Sequence, residues 1–295
     1  MKRVTIRVPA TTANLGPGFD AFGCALSLYT DVTFEETEAG LEITGCPEEF
    51  TGPDNLAYVS YCAALATMSE ELRGVKIHID AHIPVCRGLG SSAALIAGGA
   101  MAANLMAGSP FSREKLLEIT TVIEGHPDNL APALLGGLTA SMMDGEKVYS
   151  VSYQPHAQLR FVALSPNFEL STHEARSVLP KSVPYGDAVR NGGYLAVLLR
   201  ALEQGDEELI AAALRDHLHQ PYRRKLIHEY DAVEKLANKN GCYAVCVSGA
   251  GPTILCITRD PAFSERMRAD VEALHHGWQV RDLTVDYQGV IKLYE

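Results

Sequence analysis

The chain has 295 residues, 47% hydrophobic and 21% charged, with a formal net charge of −11. This allows one large or two moderate domains with a substantial core, and the acidic balance argues against a nucleic-acid partner. The densest basic cluster, Arg223-Arg224-Lys225, suits either a solvated patch or the reception of an anionic substrate.

Seven cysteines (24, 46, 62, 86, 242, 246 and 256) form no C-x-x-C pair, and most sit among Ala, Val and Leu. Buried free thiols and a reducing, cytoplasmic location are the expectation. The N-terminus MKRVTIRVPATTANLG has two early cations and no apolar core, so no signal peptide is expected.

In chain order, Val4, Ile6 and Val8 alternate with polar residues and predict a strand ending at Pro9. A turn-rich segment, Thr11–Asp20, leads to strand-like DVTFEET and LEIT. Asp54–Ser69 has helical spacing, and Val75–His82 alternates as a strand running into the loop PVCRGLGSS. Ser112 is a candidate cap for a helix through Ile123, with Glu114 in its first turn. Between Gln154 and Gln158 the pattern changes, and QLRFVALS reads as a new buried strand. Helices are expected near Thr172–Val178, Asp187–Gln204, Asp206–His217 and Leu226–Asn238. Two apolar strands joined by SGAGPT follow, then a helix from Pro261 to Leu274 and two strand-like pieces. Strands mix with helices in both halves without regular βαβα alternation, which predicts an α+β chain of two domains, 1–155 and 156–295.

Leu89–Gly108 would make about 30 Å of helix, enough to cross a bilayer. Eleven of its twenty residues are Ala or Gly, however, and Ser91, Ser92 and Asn104 are polar. Strongly apolar side chains and a flanking aromatic or basic belt are what insertion needs, so no membrane partner is expected. A strand, a Gly loop and a helix start with serines instead form an arrangement that binds anions through unpaired N–H groups. The loop is neither a Walker A motif nor G-x-G-x-x-G. By itself it suits a nucleotide site and a structural turn equally. PATTANLGPGFDAFG (Pro9–Gly23) and SGAGPT (Ser248–Thr253) would each pass singly as strand connections.

Taken together, VPATTANLGPGFDAFG, PVCRGLGSSAA and SGAGPT resemble the three ordered motifs of the GHMP small-molecule kinases. The first is close to the homoserine kinases, and EGHPDNLAPALLGG (Glu124–Gly137) and STHEARSVLP (Ser171–Pro180) resemble that group too. The resemblance implies a two-domain fold, with a nucleotide-binding α+β domain followed by a ferredoxin-like α+β domain. It implies transfer of the ATP γ-phosphoryl group to the hydroxyl of homoserine, giving O-phosphohomoserine for threonine biosynthesis, with Mg²⁺ as cofactor and a homodimer as the family expectation.

The same resemblance assigns roles to residues. Pro84, Arg87, Gly88, Leu89, Gly90, Ser91, Ser92, Ala93 and Ala94 would wrap the ATP phosphates, with Ser92 reaching Mg²⁺. Asn55 matches a residue lining the nucleotide pocket, and its residue type suits a helix cap equally. Asn14 and Asp20 match contacts to homoserine, while Arg176 and Arg223 match the arginines that hold its carboxylate, a group guanidinium recognises well. His126, Asn129 and Thr172 match residues around the reacting hydroxyl, and Asn129, Arg176 and Ser92 are the catalytic candidates. No general base is evident, and the resemblance implies that the hydroxyl proton passes to a phosphate oxygen. Relatives commonly carry an acid where this chain has Val122, so metal binding would fall to Glu124 or lean on Ser92, phosphates and water. A kinase for another alcohol, such as a mevalonate-like acid or a sugar, and a non-catalytic binding relative are the competing readings.

Overall fold

The computed structural model describes residues 2–293. Two strands, β1 (Arg3–Asn14) and β2 (Gly18–Thr37), form a long antiparallel hairpin. After β3 (Leu41–Thr44) the chain enters helix α1 (Leu56–Met68) and returns as β4 (Gly74–Ala81), which pairs with β2 and β3. Helices α2 (Ser91–Met106), α3 (Arg113–Glu124) and α4 (Leu130–Leu135) follow, then the hairpin β5 (Leu138–Asp144) and β6 (Lys147–Tyr153), with β5 pairing with Phe22–Cys24 of β2 on the edge away from β1.

The first strand does not stop at Pro9. The pairing jumps there from Pro9–Tyr29 to Ala10–Leu26, so the proline, which has no N–H to give the ladder, sits at an irregularity that re-aims the strand. Its continuation, Thr11–Asn14, carries the first glycine-rich segment straight into the middle of the molecule.

The apolar stretch Leu89–Gly108 is a core helix: twelve residues of α2 are buried, from Ala93 to Met106. A side chain at Gly99 would run into the Ala57 carbonyl and the Ser60 hydroxyl of α1. Small residues therefore set how closely the two helices approach. Among the described residues, no helix is long and apolar enough to cross a membrane.

The second sheet has the order β10-β7-β9-β8, all antiparallel, from β7 (Arg160–Ser165), β8 (Ala244–Val247), β9 (Ile254–Thr258) and β10 (Gln279–Leu283). Helices α9 (Tyr230–Lys239) and α10 (Phe263–Val271) fall in the two crossovers, which makes this a ferredoxin-like βαββαβ unit. Ahead of α9 lie α5 (Thr172–Ser177), α6 (Tyr185–Gln204), α7 (Glu207–Ala213) and α8 (Gln220–Arg223). Within QLRFVALS the run Phe161–Leu164 is unbrokenly apolar because β7 is covered on both sides. Val162 and Leu164 join a cluster with Val233, Phe263 and Met267, whereas Phe161 and Ala163 join Leu198, Leu202 and Ile210 of α6 and α7.

The sheets change over between Tyr153 and Arg160, and β11 (Ile291–Leu293) returns to pair with β1. The last strand thus sits with the first sheet, not with the ferredoxin-like unit. Two predicted helices are shorter than expected. The one expected over Asp206–His217 ends at Ala213, because Asp216 turns to accept the N–H groups of Leu218, His219 and Gln220 ahead of α8. The one expected over Leu226–Asn238 begins at Tyr230, after Glu229 adopts a left-handed conformation at φ 61°. Of the cysteines, 24, 246 and 256 are buried as expected, but Cys86 is exposed at the mouth of the glycine loop.

Candidate active site

All three glycine-rich loops meet at one place. The turn between β1 and β2 holds Asn14, Leu15 and Asp20 at φ 69°, 35° and 55°, conformations that non-glycine residues keep only when the surroundings enforce them. Enforcement is visible: the Asn14 Oδ1 accepts the Asp20 N–H at 3.0 Å, and its Nδ2 donates to the Gly249 carbonyl at 2.8 Å. The third loop is tied to the second through the Ser248 hydroxyl, 2.6 Å from the Gly88 carbonyl, and to the first by Gly249 N–H to Ala13 O. Gly90, at φ 73°, caps α2, and a side chain there would strike the Thr11 hydroxyl. Only glycine lets β1 pass this close to the helix start.

The loops surround a cavity of about 410 Å³. At one end Thr30, Cys46, Pro47, Phe50, Leu56 and Ile79 make a largely apolar pocket. Asn55 belongs to it and also caps α1, its Oδ1 accepting the Ala57 N–H at 2.9 Å, so its two expected roles coexist. In the middle, Gly88, Gly90, Ser91, Ser92 and Ala93 line the wall where α2 begins. The helix N-terminus presents N–H groups and a positive dipole end there. Leu89 and Ala94, expected to contact phosphate, are fully buried in the core instead, and Pro84 is half-buried beside the loop outside the lining. Arg87 reaches the cavity, but its guanidinium is spent on the Pro166 carbonyl at 3.1 Å and on Glu169 at 3.5 Å, bracing the loop against the second sheet.

The Ser92 hydroxyl donates to Glu124 Oε2 at 2.9 Å. Glu124 ends α3, whereas Val122, two residues earlier, is 73% exposed on another face of the helix. The valine therefore leaves no gap in the site, since the carboxylate beside Ser92 belongs to Glu124. A serine hydroxyl and a carboxylate next to an anion-binding helix start are hard oxygen donors of the kind Mg²⁺ accepts, so these residues fit the ion.

The far end is charged. Arg176 makes a bidentate pair with Asp20 at 2.7 and 3.0 Å, which raises the guanidinium pKa through the hydrogen-bonded carboxylate. Arg223 is 1% exposed and has no carboxylate partner among the described residues; burial, with Arg176 nearby, pushes its pKa down to about 10. Both guanidiniums lie over the Phe19 ring, at 5.5 and 5.1 Å. His126 Nδ1 donates to Asp128 Oδ1 at 2.6 Å, and although burial works the other way, that carboxylate raises the imidazole pKa. Asn129 is oriented by Thr11, whose hydroxyl donates to its Oδ1 at 2.7 Å. Thr172 completes the wall.

Sequence reasoning missed Asp128 and Thr11, although both lie inside quoted motifs. Asp128 directly precedes the assigned Asn129, a signal that was available, whereas nothing local ties Thr11 to Asn129, 118 residues away. It also missed the apolar pocket around Cys46 and Phe50, which no local pattern marks.

Comparison with known proteins agrees with this architecture. Residues 55–137 match the family model described as GHMP kinases N terminal domain, and residues 198–276 match GHMP kinases C terminal. The chain is 42% identical over 290 residues to a homoserine kinase of Clostridium botulinum, covering 98% of each chain. It is 44% identical over 306 positions to a homoserine kinase of Microchaete diplosiphon, covering 99% of this chain and 98% of the relative. Among solved structures, a homoserine kinase from Cytophaga hutchinsonii superimposes with a TM-score of 0.90 at 29% identity, covering 99% and 98% of the two chains. An L. major mevalonate kinase shares the fold with a TM-score of 0.74 at 15% identity, covering 98% and 96%. The glycine loops, the two-sheet fold and these matches agree: the chain belongs to the GHMP kinase family, within its homoserine kinase branch.

Proposed function

We propose that this chain transfers the γ-phosphoryl group of ATP to the side-chain hydroxyl of L-homoserine, making O-phospho-L-homoserine for threonine biosynthesis. One observation carries the reading: a single cavity joins an anion-binding helix start to a charged end, with Asp20, Arg176 and Arg223 suited to a small zwitterion. The relatives' shared name, homoserine kinase, supports the same substrate.

Phosphoryl transfer depends mainly on alignment and charge neutralisation. Here the pocket around Phe50 and Asn55 takes the base and sugar, and the N–H groups at the start of α2 hold the phosphates. Ser92 and Glu124 would hold Mg²⁺, which would neutralise charge on the phosphate oxygens. Asp20 receives the substrate ammonium, and Arg176 and Arg223 its carboxylate. Asn129, fixed by Thr11, directs its amide toward the reacting hydroxyl. That hydroxyl gives its proton to a phosphate oxygen as the new P–O bond forms and ADP leaves, so no side-chain base is required.

The test is ADP release from purified protein with Mg-ATP and a panel of alcohols, including homoserine, mevalonate and sugars. Turnover should be confined to homoserine or fastest with it, and turnover of another alcohol without homoserine would overturn the reading. ATP binding with no turnover of any alcohol would favour a non-catalytic relative. We place the enzyme in the cytoplasm on the strength of its seven free cysteines. A homodimer is the assembly expected for its family, to be checked by light scattering.

A further inference from the structure

His219 stands apart from the residues assigned so far. It precedes α8, it is fully buried, and its ring stacks on Phe19 with centroids 5.3 Å apart. Phe19 is the same ring on which Arg176 and Arg223 lie. On one side of the imidazole, Nε2 is 2.9 Å from the Gly16 carbonyl and 3.5 Å from Asp216 Oδ2. Both neighbours are acceptors, so Nε2 carries the proton. On the other side, Nδ1 faces Arg223 Nη1 at a long 3.5 Å. A guanidinium nitrogen only donates, so Nδ1 offers its lone pair. Every neighbour thus demands the same neutral tautomer.

The consequence falls on Arg223. Its Nε donates to the Ala175 carbonyl at 3.2 Å, and its Nη1 to Gly249 O at 3.0 Å and toward His219. Nη2 has no protein partner among the described residues, and the side chain lines the cavity. His219 and two carbonyls therefore turn the guanidinium so that one nitrogen remains for the cavity. Through Gly16 the same ring also holds the turn that carries Asp20.

We infer that His219 is a positioning residue for substrate carboxylate recognition: as the neutral Nε2–H tautomer it orients Arg223 from behind and ties the Gly16 turn to α8. The inference rests on the homoserine reading above. An ordinary core histidine would need neither a fixed tautomer nor a guanidinium at its lone pair.

Two variants separate its roles. His219→Gln keeps a donor for Gly16 O and has no acceptor near the Nδ1 position, whereas His219→Asn keeps an acceptor there and gives up the reach to Gly16. For His219→Gln, KM for homoserine should rise roughly tenfold, the scale of one lost charged hydrogen bond, with KM for ATP within about twofold. His219→Asn should hold homoserine KM within roughly threefold of the wild type. As a further readout, 3-amino-1-propanol, which is homoserine without its carboxylate, should inhibit the wild type and His219→Gln with equal Ki. Equal rises in homoserine and ATP KM, a worse homoserine KM for Asn than for Gln, or a parallel rise in the amino-alcohol Ki would each overturn the inference. Wild-type enzyme that leaves homoserine untouched would instead overturn the substrate reading itself.

Discussion

Replacing Glu124 by Gln isolates one charge in the nucleotide end of the cavity. The amide is nearly isosteric and can still accept the Ser92 hydroxyl that now lies 2.9 Å from Oε2, so packing and local hydrogen bonding survive. What disappears is the negative charge that a divalent cation seeks. Mutating even an outer-shell partner of a metal's ligands typically costs about 10- to 100-fold in affinity, so removing the charge of a direct ligand should raise half-saturation by free Mg²⁺ by at least roughly that factor. The control is Val122→Glu, which puts an acid where the family resemblance led one to expect it. Residues two apart on a helix do not face each other, and Val122 is 73% exposed, so the new carboxylate should leave the Mg²⁺ dependence within about twofold. Initial rates at saturating homoserine and fixed total ATP, with free Mg²⁺ varied, read both. A Glu124→Gln enzyme with wild-type Mg²⁺ dependence, beside a Val122→Glu enzyme with tighter dependence, would show that the metal carboxylate belongs at position 122.

Arg176→Ala should raise KM for homoserine by roughly 30- to 100-fold, since it removes a charged partner and leaves Asp20 unpaired; steady-state kinetics should find KM for ATP nearly unchanged, and equal rises in both would make Arg176 structural. Gly90→Ala puts a side chain at φ 73° against the Thr11 hydroxyl, adding about 1–2 kcal/mol of backbone strain and disturbing Asn129 through Thr11. Its kcat and ATP affinity should both fall, and wild-type kinetics would refute the tight packing of loop on strand. Glu229 concerns stability: burial raises its pKa, but N–H donors from His275, His276 and Trp278 outweigh that and hold it at about 2. A carboxyl depressed on folding stabilises above its unfolded pKa and loses that contribution as pH falls through the folded one. Thermal unfolding should therefore reveal a loss of about 3 kcal/mol at most between roughly pH 4.5 and 2. Glu229→Gln should flatten that acid limb, and an unchanged limb would refute the assignment.

What could be read from the chain alone follows a physical divide. Alternation in Val4–Val8 and Val75–His82 and the run QLRFVALS announced strands, because burial on one face or two writes itself into residue period. The caps at Ser112 and, as one of its two readings, Asn55 were legible because a cap is a local event; the helix near Thr172 was expected, but its Ser171 cap was not read. The strand, glycine loop and helix start around Arg87–Ala94 were recognisable as anion machinery, and the family resemblance joined Asp20 to Arg176 and Arg223, 156 and 203 residues further along the chain, which line one cavity. Nothing local revealed that Asp216 would end a helix early, or that Pro9 would be carried within a strand. Both depend on partners elsewhere: the α8 amide groups in one case, and the offset pairing with β2 in the other. Val122 shows the opposite hazard, since a departure from a motif gains or loses meaning only once the helix face is known.

The charged end also explains how a small site can prefer a zwitterion. Without substrate, Asp20 and Arg176 neutralise each other in a bidentate pair, each side chain about a third exposed. A ligand with only a carboxylate can take Arg176 but then leaves Asp20 without its cation. One with only an amine takes Asp20 and strands the guanidinium. A zwitterion with correctly spaced charges replaces both halves at once, so neither protein charge is left uncompensated. Arg223 differs, because it is buried with carbonyls and an imidazole as partners and, among the described residues, no carboxylate of its own. Its positive charge is therefore the part of the site that a carboxylate compensates without displacing anything. On the proposed roles, selectivity for an amino acid over a simple alcohol would arise from one ion pair that must be exchanged and one buried cation that a carboxylate can compensate.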